Sequence, residues 1–286
     1  MLLGIAGLVD GDWNNIDSSV LKNAKNMGFK TLQIRVSDTE TITQKNIHRI
    51  RSLYKDFGFK MPQTVGDYGG GLISKNEEIR KKAIKFVKKM INFTSKIEGE
   101  NTYLRPGSIN SEPWNPHPEN YTTETFDRLI DSTKQIIKVA ENEGVLVAVE
   151  GGVSCPVSTP KKVKDLFDGV GSKYLGFNMD PVNFIGSLEI AYNNTKLIED
   201  FYSLIPDKIF GCHAKDFTIV ENLLPHFKES IIDAPNSLLD NESLLRGLMK
   251  VNPKAHVLIE HLPNDKIPEA LEGINRVANR ININWD

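Results

Sequence analysis

Short apolar runs alternate with longer amphipathic stretches along the whole chain. The apolar runs are too short for helices and show no apolar–polar alternation, which is typical of parallel strands buried on both faces. Eight of these runs are predicted as strands, at residues 3–7, 31–36, 60–65, 102–104, 146–150, 175–180, 209–213 and 256–260.

The stretches between the strands show the 3.6-residue period of amphipathic helices. One apolar stripe contains Ile79, Ala83, Phe86, Val87 and Met90. A later helix is predicted to begin at Thr122 or Thr123 and to end at Gly144. Strand–helix units of this number and length predict an α/β fold, a single-domain (β/α)₈ TIM barrel over residues 1–286. The rival is an open doubly wound sheet, but GIAGLVDG lacks the GxGxxG phosphate loop usual there.

Four potential metal ligands stand at the ends of the last four predicted strands. They are Glu150, Asp180, His213 and Glu260. Parallel strands bring their carboxyl ends to one face, so these side chains are expected to meet in a cation site. Three carboxylates and one imidazole favour one divalent cation, Mn²⁺ first, then Co²⁺, Mg²⁺ or Zn²⁺. The alternative is that Glu150 and Asp180 cap the following helices and that His213 is a satisfied interior histidine.

Composition narrows the function class. The chain has 286 residues, a net charge of −2, 25 % charged residues and 40 % apolar residues. This near-neutral balance gives no support for a nucleic-acid or membrane surface. Two cysteines, Cys155 and Cys212, fit a reducing compartment. The apolar N-terminus lacks the basic region of a signal peptide, and no apolar run approaches the ~20 residues of a membrane span. A cytoplasmic setting is therefore expected.

Further residues are placed to contact a small ligand. Two long connections, 107–121 and 217–240, leave the carboxyl ends of strands and are expected to cover the site. Asp216 is expected to orient Lys215 or His213. The candidate ligand-binding residues are Arg105, Lys215, Asn183, Trp114, His117, Gln63 and Arg35. The alternatives are a barrel-rim ion pair for the arginines and simple packing for the loop aromatics.

The motifs RPGSIN, PHPEN, VAVEGG, NMDPVNF, HAKD and IEHLP resemble those of the xylose-isomerase-like TIM-barrel superfamily. Ketose 3-epimerases, hydroxypyruvate isomerase and endonuclease IV belong to it. The resemblance covers the chain and implies one divalent cation held by Glu150, Asp180, His213 and Glu260. It also implies that Glu150 and Glu260 form an acid–base pair. Asn183 stands where the epimerases usually have a histidine, and Lys215 is the cation nearest to the place of their arginine.

The resemblance implies a metal-dependent sugar isomerase or epimerase with a small carbohydrate substrate and possible self-association. Because a lyase or dehydratase on a keto-sugar needs the same base and metal, that alternative stays open. Endonuclease IV uses a histidine-rich three-zinc cluster, whereas this chain has six histidines in all. A non-catalytic sugar-binding barrel would need neither glutamate. The absence of a glycine-rich phosphate cradle after strands seven and eight favours an unphosphorylated ligand.

Overall fold

The computed structural model describes residues 1–6, 12–60, 63–260 and 262–286. Within these ranges, each predicted strand is found at or near its predicted place. The second is interrupted at Gln33 and is counted as two short strands. The strands are β1 Leu2–Ile5, β2 Thr31–Leu32, β3 Ile34–Val36, β4 Gln63–Gly66, β5 Asn101–Leu104, β6 Leu146–Val149, β7 Leu175–Met179, β8 Ile209–Ala214, β9 Asp216–Val220, β10 His226–Ser230 and β11 His256–Ile259.

Nine of these strands form one parallel sheet in the order β2-β1-β11-β8-β7-β6-β5-β4-β3. The two outermost strands, β2 and β3, are consecutive segments of the chain joined only by Gln33. The sheet therefore curls into a nearly closed barrel, and the predicted (β/α)₈ fold is confirmed. Strands β5, β6, β7 and β11 are almost wholly buried, which accounts for their lack of apolar–polar alternation.

Helices surround the barrel and follow its strands in the chain. Their bounds are α1 Ser18–Asn26, α2 Gln44–Phe57, α3 Glu77–Lys96, α4 Thr123–Glu143, α5 Pro160–Val170, α6 Leu188–Tyr192, α7 Asn194–Leu204, α8 Asn241–Val251 and α9 Ile267–Arg280. The predicted limits of α4 are confirmed, since the Thr122 side chain caps it and Gly144 ends it with a φ of 70°. No helix within the described ranges is long and apolar enough to cross a membrane.

The predicted 217–240 connection contains an antiparallel hairpin, made of β9 and β10. It leaves the barrel directly after β8, at the end that carries the predicted ligands. Phe217 pairs with Glu229 and Ile219 with Phe227, so these four side chains share one face of the hairpin. The strands are short and partly exposed, and for this reason the apolar-run criterion misses them.

The loop after the hairpin lies against α9 at a glycine. A Cβ on Gly273 would stand 1.9 Å from the Ile232 carbonyl oxygen, so only a residue without a side chain permits this contact. We expect Gly273→Ala to destabilise the protein by about 1–3 kcal/mol, the usual cost of overpacking. Thermal and urea unfolding would measure it, with Glu272→Ala as the control at an exposed position of the same helix. Equal stability of the two variants would contradict this account of the contact.

Candidate metal centre and substrate pocket

The four predicted ligands converge at the carboxyl end of the barrel. Glu150 follows β6, Asp180 follows β7, His213 lies in β8 and Glu260 follows β11. All four side chains are buried, and one donor atom from each lies within 4.8 Å of the others. Because β6, β7, β8 and β11 are neighbours in the sheet, the fold itself gathers residues that are far apart in the sequence.

His213 is oriented by two glutamine side chains. Its Nε2 lies 3.1 Å from Gln63 Oε1, and Gln33 Nε2 donates to the same oxygen at 2.6 Å. An amide oxygen only accepts hydrogen bonds, so His213 carries a proton on Nε2 and turns Nδ1 towards the carboxylates. Nδ1 lies 2.9 Å from Glu150 Oε2 and 2.8 Å from Glu260 Oε2. Gln63, a candidate ligand-binding residue in the sequence analysis, therefore holds the imidazole of His213 in its orientation.

The carboxylate of Asp180 has unfilled capacity to bind a cation. Its Oδ1 is buried and accepts no hydrogen bond from any described residue. Burial raises the pKa of Asp180 to about 8, although Lys215 opposes the rise. Nδ1 of His213 lies 2.8–2.9 Å from oxygens of Glu150 and Glu260, so these groups are close enough to hold one small ion together. The residues fit a divalent cation, and their oxygen-rich donor set suits Mn²⁺ or Mg²⁺.

Glu150 is held by three side-chain donors. Tyr103 and Asn183 donate to Oε1 at 2.5 and 2.9 Å, and Asn178 donates to Oε2 at 2.8 Å. Burial opposes ionisation, but His213 beside the carboxylate holds the pKa of Glu150 below its ordinary value. Tyr103 and Asn178 are absent from the sequence predictions. For Asn178 the signal in the sequence is a polar group inside an otherwise apolar strand, whereas Tyr103 lies in the largely polar strand β5 and has no such signal.

Lys215 places a second cation beside the predicted metal position. Its buried Nζ lies 2.9 Å from Asp180 Oδ2, 3.0 Å from Glu260 Oε1 and 3.0 Å from Asn183 Oδ1. Glu229 of β10 adds a fourth oxygen at 2.9 Å. Asp180 and Glu260 therefore each have one oxygen at the ammonium group, and the second oxygen of Glu260 lies beside His213 Nδ1. Glu229 is a site residue that the sequence predictions missed.

A cavity of about 420 Å³ opens beside these groups. Its size is in the range of small-ligand sites. Arg105 lies with its guanidinium 4.1 Å from the ring centre of the half-exposed Trp114, and its Nε donates to the Tyr103 hydroxyl at 2.6 Å. A cavity lined by an aromatic ring, carboxylates and an amide is suited to a polyol. The lining includes Arg105, Pro106, Gly107, Trp114, Glu150, Gly151, Asn183 and Glu229.

Eight predicted residues do not line this cavity. Five of them, Asp180, His213, Glu260, Gln63 and Lys215, belong to the polar cluster beside it, and the other three lie elsewhere. Arg35 donates to the carboxylate of Asp67, and both are exposed. His117 caps the short helix Pro118–Tyr121, where its Nδ1 accepts from the Glu119 N–H at 3.2 Å.

The third residue, Asp216, was predicted to orient Lys215 or His213. Because the chain turns into the hairpin at this point, its carboxylate instead accepts the N–H groups of Phe217, Leu238 and Leu239. It thus fixes the foot of the hairpin. His261, which follows Glu260 in the sequence, lies outside the described residues.

Cation binding is expected to weaken as the pH falls. Without a metal, burial works against the charged form of His213, but Glu260 and Glu150 raise its pKa to about 10. The pKa of Asp180 is about 8. At pH 7 both groups hold protons that a cation must displace, so affinity should fall roughly tenfold per unit below pH 10 and more steeply below pH 8. Mn²⁺ calorimetry in buffers of different ionisation enthalpy counts the released protons. A constant affinity between pH 6 and 8 would exclude this competition.

Comparison with known proteins agrees with this architecture. The profile of the family described as xylose isomerase-like TIM barrel matches residues 21–277. The uncharacterized protein MJ1311 of Methanocaldococcus jannaschii is 24% identical over 224 residues, 76% of this chain and 71% of that protein.

Two solved structures share the fold over nearly their whole length. A D-tagatose 3-epimerase-like protein has a TM-score of 0.76 at 17% identity, covering 99% of this chain and 98% of its own. The 3-keto-D-glucoside 4-epimerase YcjR of E. coli has a TM-score of 0.71 at 16% identity, covering 96% and 99%.

Proposed function

The chain belongs to the xylose isomerase-like TIM barrel family, and we propose that it is a divalent-metal-dependent sugar isomerase or epimerase. The observation that carries the proposal is the buried convergence of Glu150, Asp180, His213 and Glu260 beside a cavity of small-molecule size. The fold neighbours, one a 3-keto-D-glucoside 4-epimerase and the other a D-tagatose 3-epimerase-like protein, support the substrate class. Mn²⁺ is the proposed ion, and an unphosphorylated keto-sugar is the proposed substrate.

A divalent cation bound by these four residues would polarise the substrate carbonyl and acidify the neighbouring C–H group. Glu150 and Glu260 each have an oxygen within 2.9 Å of His213 Nδ1, so both carboxylates lie at the proposed metal position. In the proposed mechanism one glutamate removes the proton next to the carbonyl, and the other delivers a proton to the product. Tyr103, Asn178 and Asn183 hold Glu150 in a fixed orientation for this role.

The remaining pocket residues have positioning roles in this proposal. Trp114 offers an apolar ring to the C–H side of a sugar, and its contact with Arg105 fixes the orientation of that ring. The guanidinium of Arg105 faces the cavity and is suited to donate to a hydroxyl or carbonyl oxygen. Asn183 connects Glu150 with Lys215 through its two amide atoms.

The test is turnover of unphosphorylated ketoses and aldoses by the Mn²⁺-loaded protein in D₂O, followed by NMR. We expect an isomeric product with deuterium at the carbon next to the carbonyl. Full retention of the original hydrogen would indicate a hydride shift and exclude the two-glutamate scheme. A product that has lost water or another leaving group would identify the protein as a lyase, and absence of turnover across a broad panel would contradict the proposal.

A further inference from the structure

The hairpin β9–β10 has a rigid foot. Backbone N–H groups donate to Asp216 Oδ1, and the Asn241 side chain donates to Asp216 Oδ2 at 2.7 Å. Asp233, in the loop that follows, forms ion pairs with Arg276 and Arg280 of α9 at 2.8 Å each. The hairpin is thus attached on both sides of its base to the barrel and to the helix layer.

The far end of the hairpin is open to solvent. Its turn, residues 221–225, is exposed, and Leu223 and Leu224 are 98% and 83% accessible. Few buried apolar contacts and a solvent-exposed backbone are the features of a segment that opens at low free-energy cost. A hairpin that is fixed at its base and exposed at its turn can tilt over the carboxyl end of the barrel.

One side chain of the hairpin, that of Glu229, contacts the site itself. Glu229 shares its face with Phe217, Ile219 and Phe227, and its Oε1 lies 2.9 Å from the buried Nζ of Lys215. The side chain of Glu229 is only about half buried, whereas that of Lys215 is almost wholly buried. The hairpin therefore carries an acidic group down to a cation that also binds two of the predicted metal ligands.

We propose that Glu229 is a latch that fastens the hairpin over the pocket through Lys215 and couples its closure to occupancy of the metal site. The coupling follows from shared charge. A divalent cation that binds Glu260 on its Oε2 side would draw the negative charge of this carboxylate away from Lys215, so that the ammonium group depends more on Glu229. Linkage is reciprocal: the factor by which metal binding favours closure of the hairpin equals the factor by which closure raises the affinity for the metal. The inference rests on the proposed function only in taking this pocket as the substrate site.

The test compares Glu229→Gln with Glu221→Gln, a matched loss of charge at the exposed turn of the same hairpin. Hydrogen exchange of residues 216–230 is measured with and without Mn²⁺. In the unaltered protein, and in Glu221→Gln, Mn²⁺ should slow this exchange. In Glu229→Gln we expect faster exchange, by about fivefold or more, and no response to the metal. The same variant should bind Mn²⁺ roughly 3–10-fold more weakly, because the charge of Lys215 is less balanced beside the cation.

Glu229→Asp supplies a second measurement, since it keeps the charge and should restore part of the response to Mn²⁺. Unchanged hairpin exchange in a folded Glu229→Gln protein, or equal effects in Glu221→Gln, would overturn the latch. These readouts do not depend on turnover. If they hold while no sugar reacts, the latch stands and the proposed function fails; if sugar is turned over but exchange is unaffected, the reverse is concluded.

Discussion

Replacing Glu260 or Glu150 with glutamine is expected to lower turnover by about 10²–10⁴, the range of general acid–base catalysis. Glutamine keeps the size of the side chain and one oxygen for a cation, but it cannot exchange a proton. Steady-state kinetics at saturating Mn²⁺ would measure kcat and KM. The loss should fall on kcat, because the proton transfer belongs to the transition state and not to substrate binding.

The two variants should differ in how they affect the site. Glu150 accepts three side-chain hydrogen bonds, so an amide there would set its NH₂ group against other donors. We therefore expect Glu150→Gln to lose stability and Mn²⁺ affinity as well as activity. Glu112→Gln, at an exposed position of the 107–121 loop, is the control. Full activity in Glu260→Gln with metal bound would remove that residue from the acid–base pair.

Asp180→Asn is expected to weaken Mn²⁺ binding by more than 100-fold. The reference is the roughly 10–100-fold effect of changing a group that only supports a ligand. The substitution removes a buried carboxylate oxygen to which no described residue donates a hydrogen bond. The NH₂ group of the new amide would face either the cation or the ammonium group of Lys215. Calorimetric titration with Mn²⁺ measures the change, and Asp168→Asn on the exposed side of α5 serves as control.

The metal-free form of the same variant offers an independent check. Burial raises the pKa of Asp180 to about 8, so its charged form is not favoured in the absence of a cation. Asp180→Asn should then unfold without metal at a temperature equal to or above that of the unaltered protein, but gain less stability on adding Mn²⁺. If Mn²⁺ stabilised this variant as much as it stabilises the unaltered protein, Asp180 would not be a ligand.

The barrel and the position of its ligands follow from the sequence because parallel topology leaves little freedom. An acid or histidine at the carboxyl end of a strand can only lie at one rim of the barrel. Asp180 and His213 are predictable for this reason without any knowledge of contacts. The limits of α4 are equally local, since a threonine cap and a terminal glycine act within one turn.

The supports of the site could not be predicted in the same way. Gln63 joins His213 to Asn178, and these three residues come from strands far apart in the chain. Which polar groups inside a barrel meet depends on register and tilt, which no short pattern encodes. Glu229 is hidden for a different reason, because its hairpin is short and partly exposed. The role predicted for Asp216 depended on adjacency to Lys215, whereas the turn into β9 sends its carboxylate to backbone amides.

The balance of charge in the pocket has a consequence for selectivity. Four carboxylates, from Glu150, Asp180, Glu229 and Glu260, surround two cationic side chains, Arg105 and Lys215. A divalent ion that displaces the protons of Asp180 and His213 would leave this set electroneutral, as those protons do in its absence. A polyol would enter such a site without leaving any charge uncompensated, whereas a phosphate dianion would bring two charges that the enclosed groups do not offset. Discrimination against phosphorylated sugars would thus arise from the combined charge of these groups and not from any single residue.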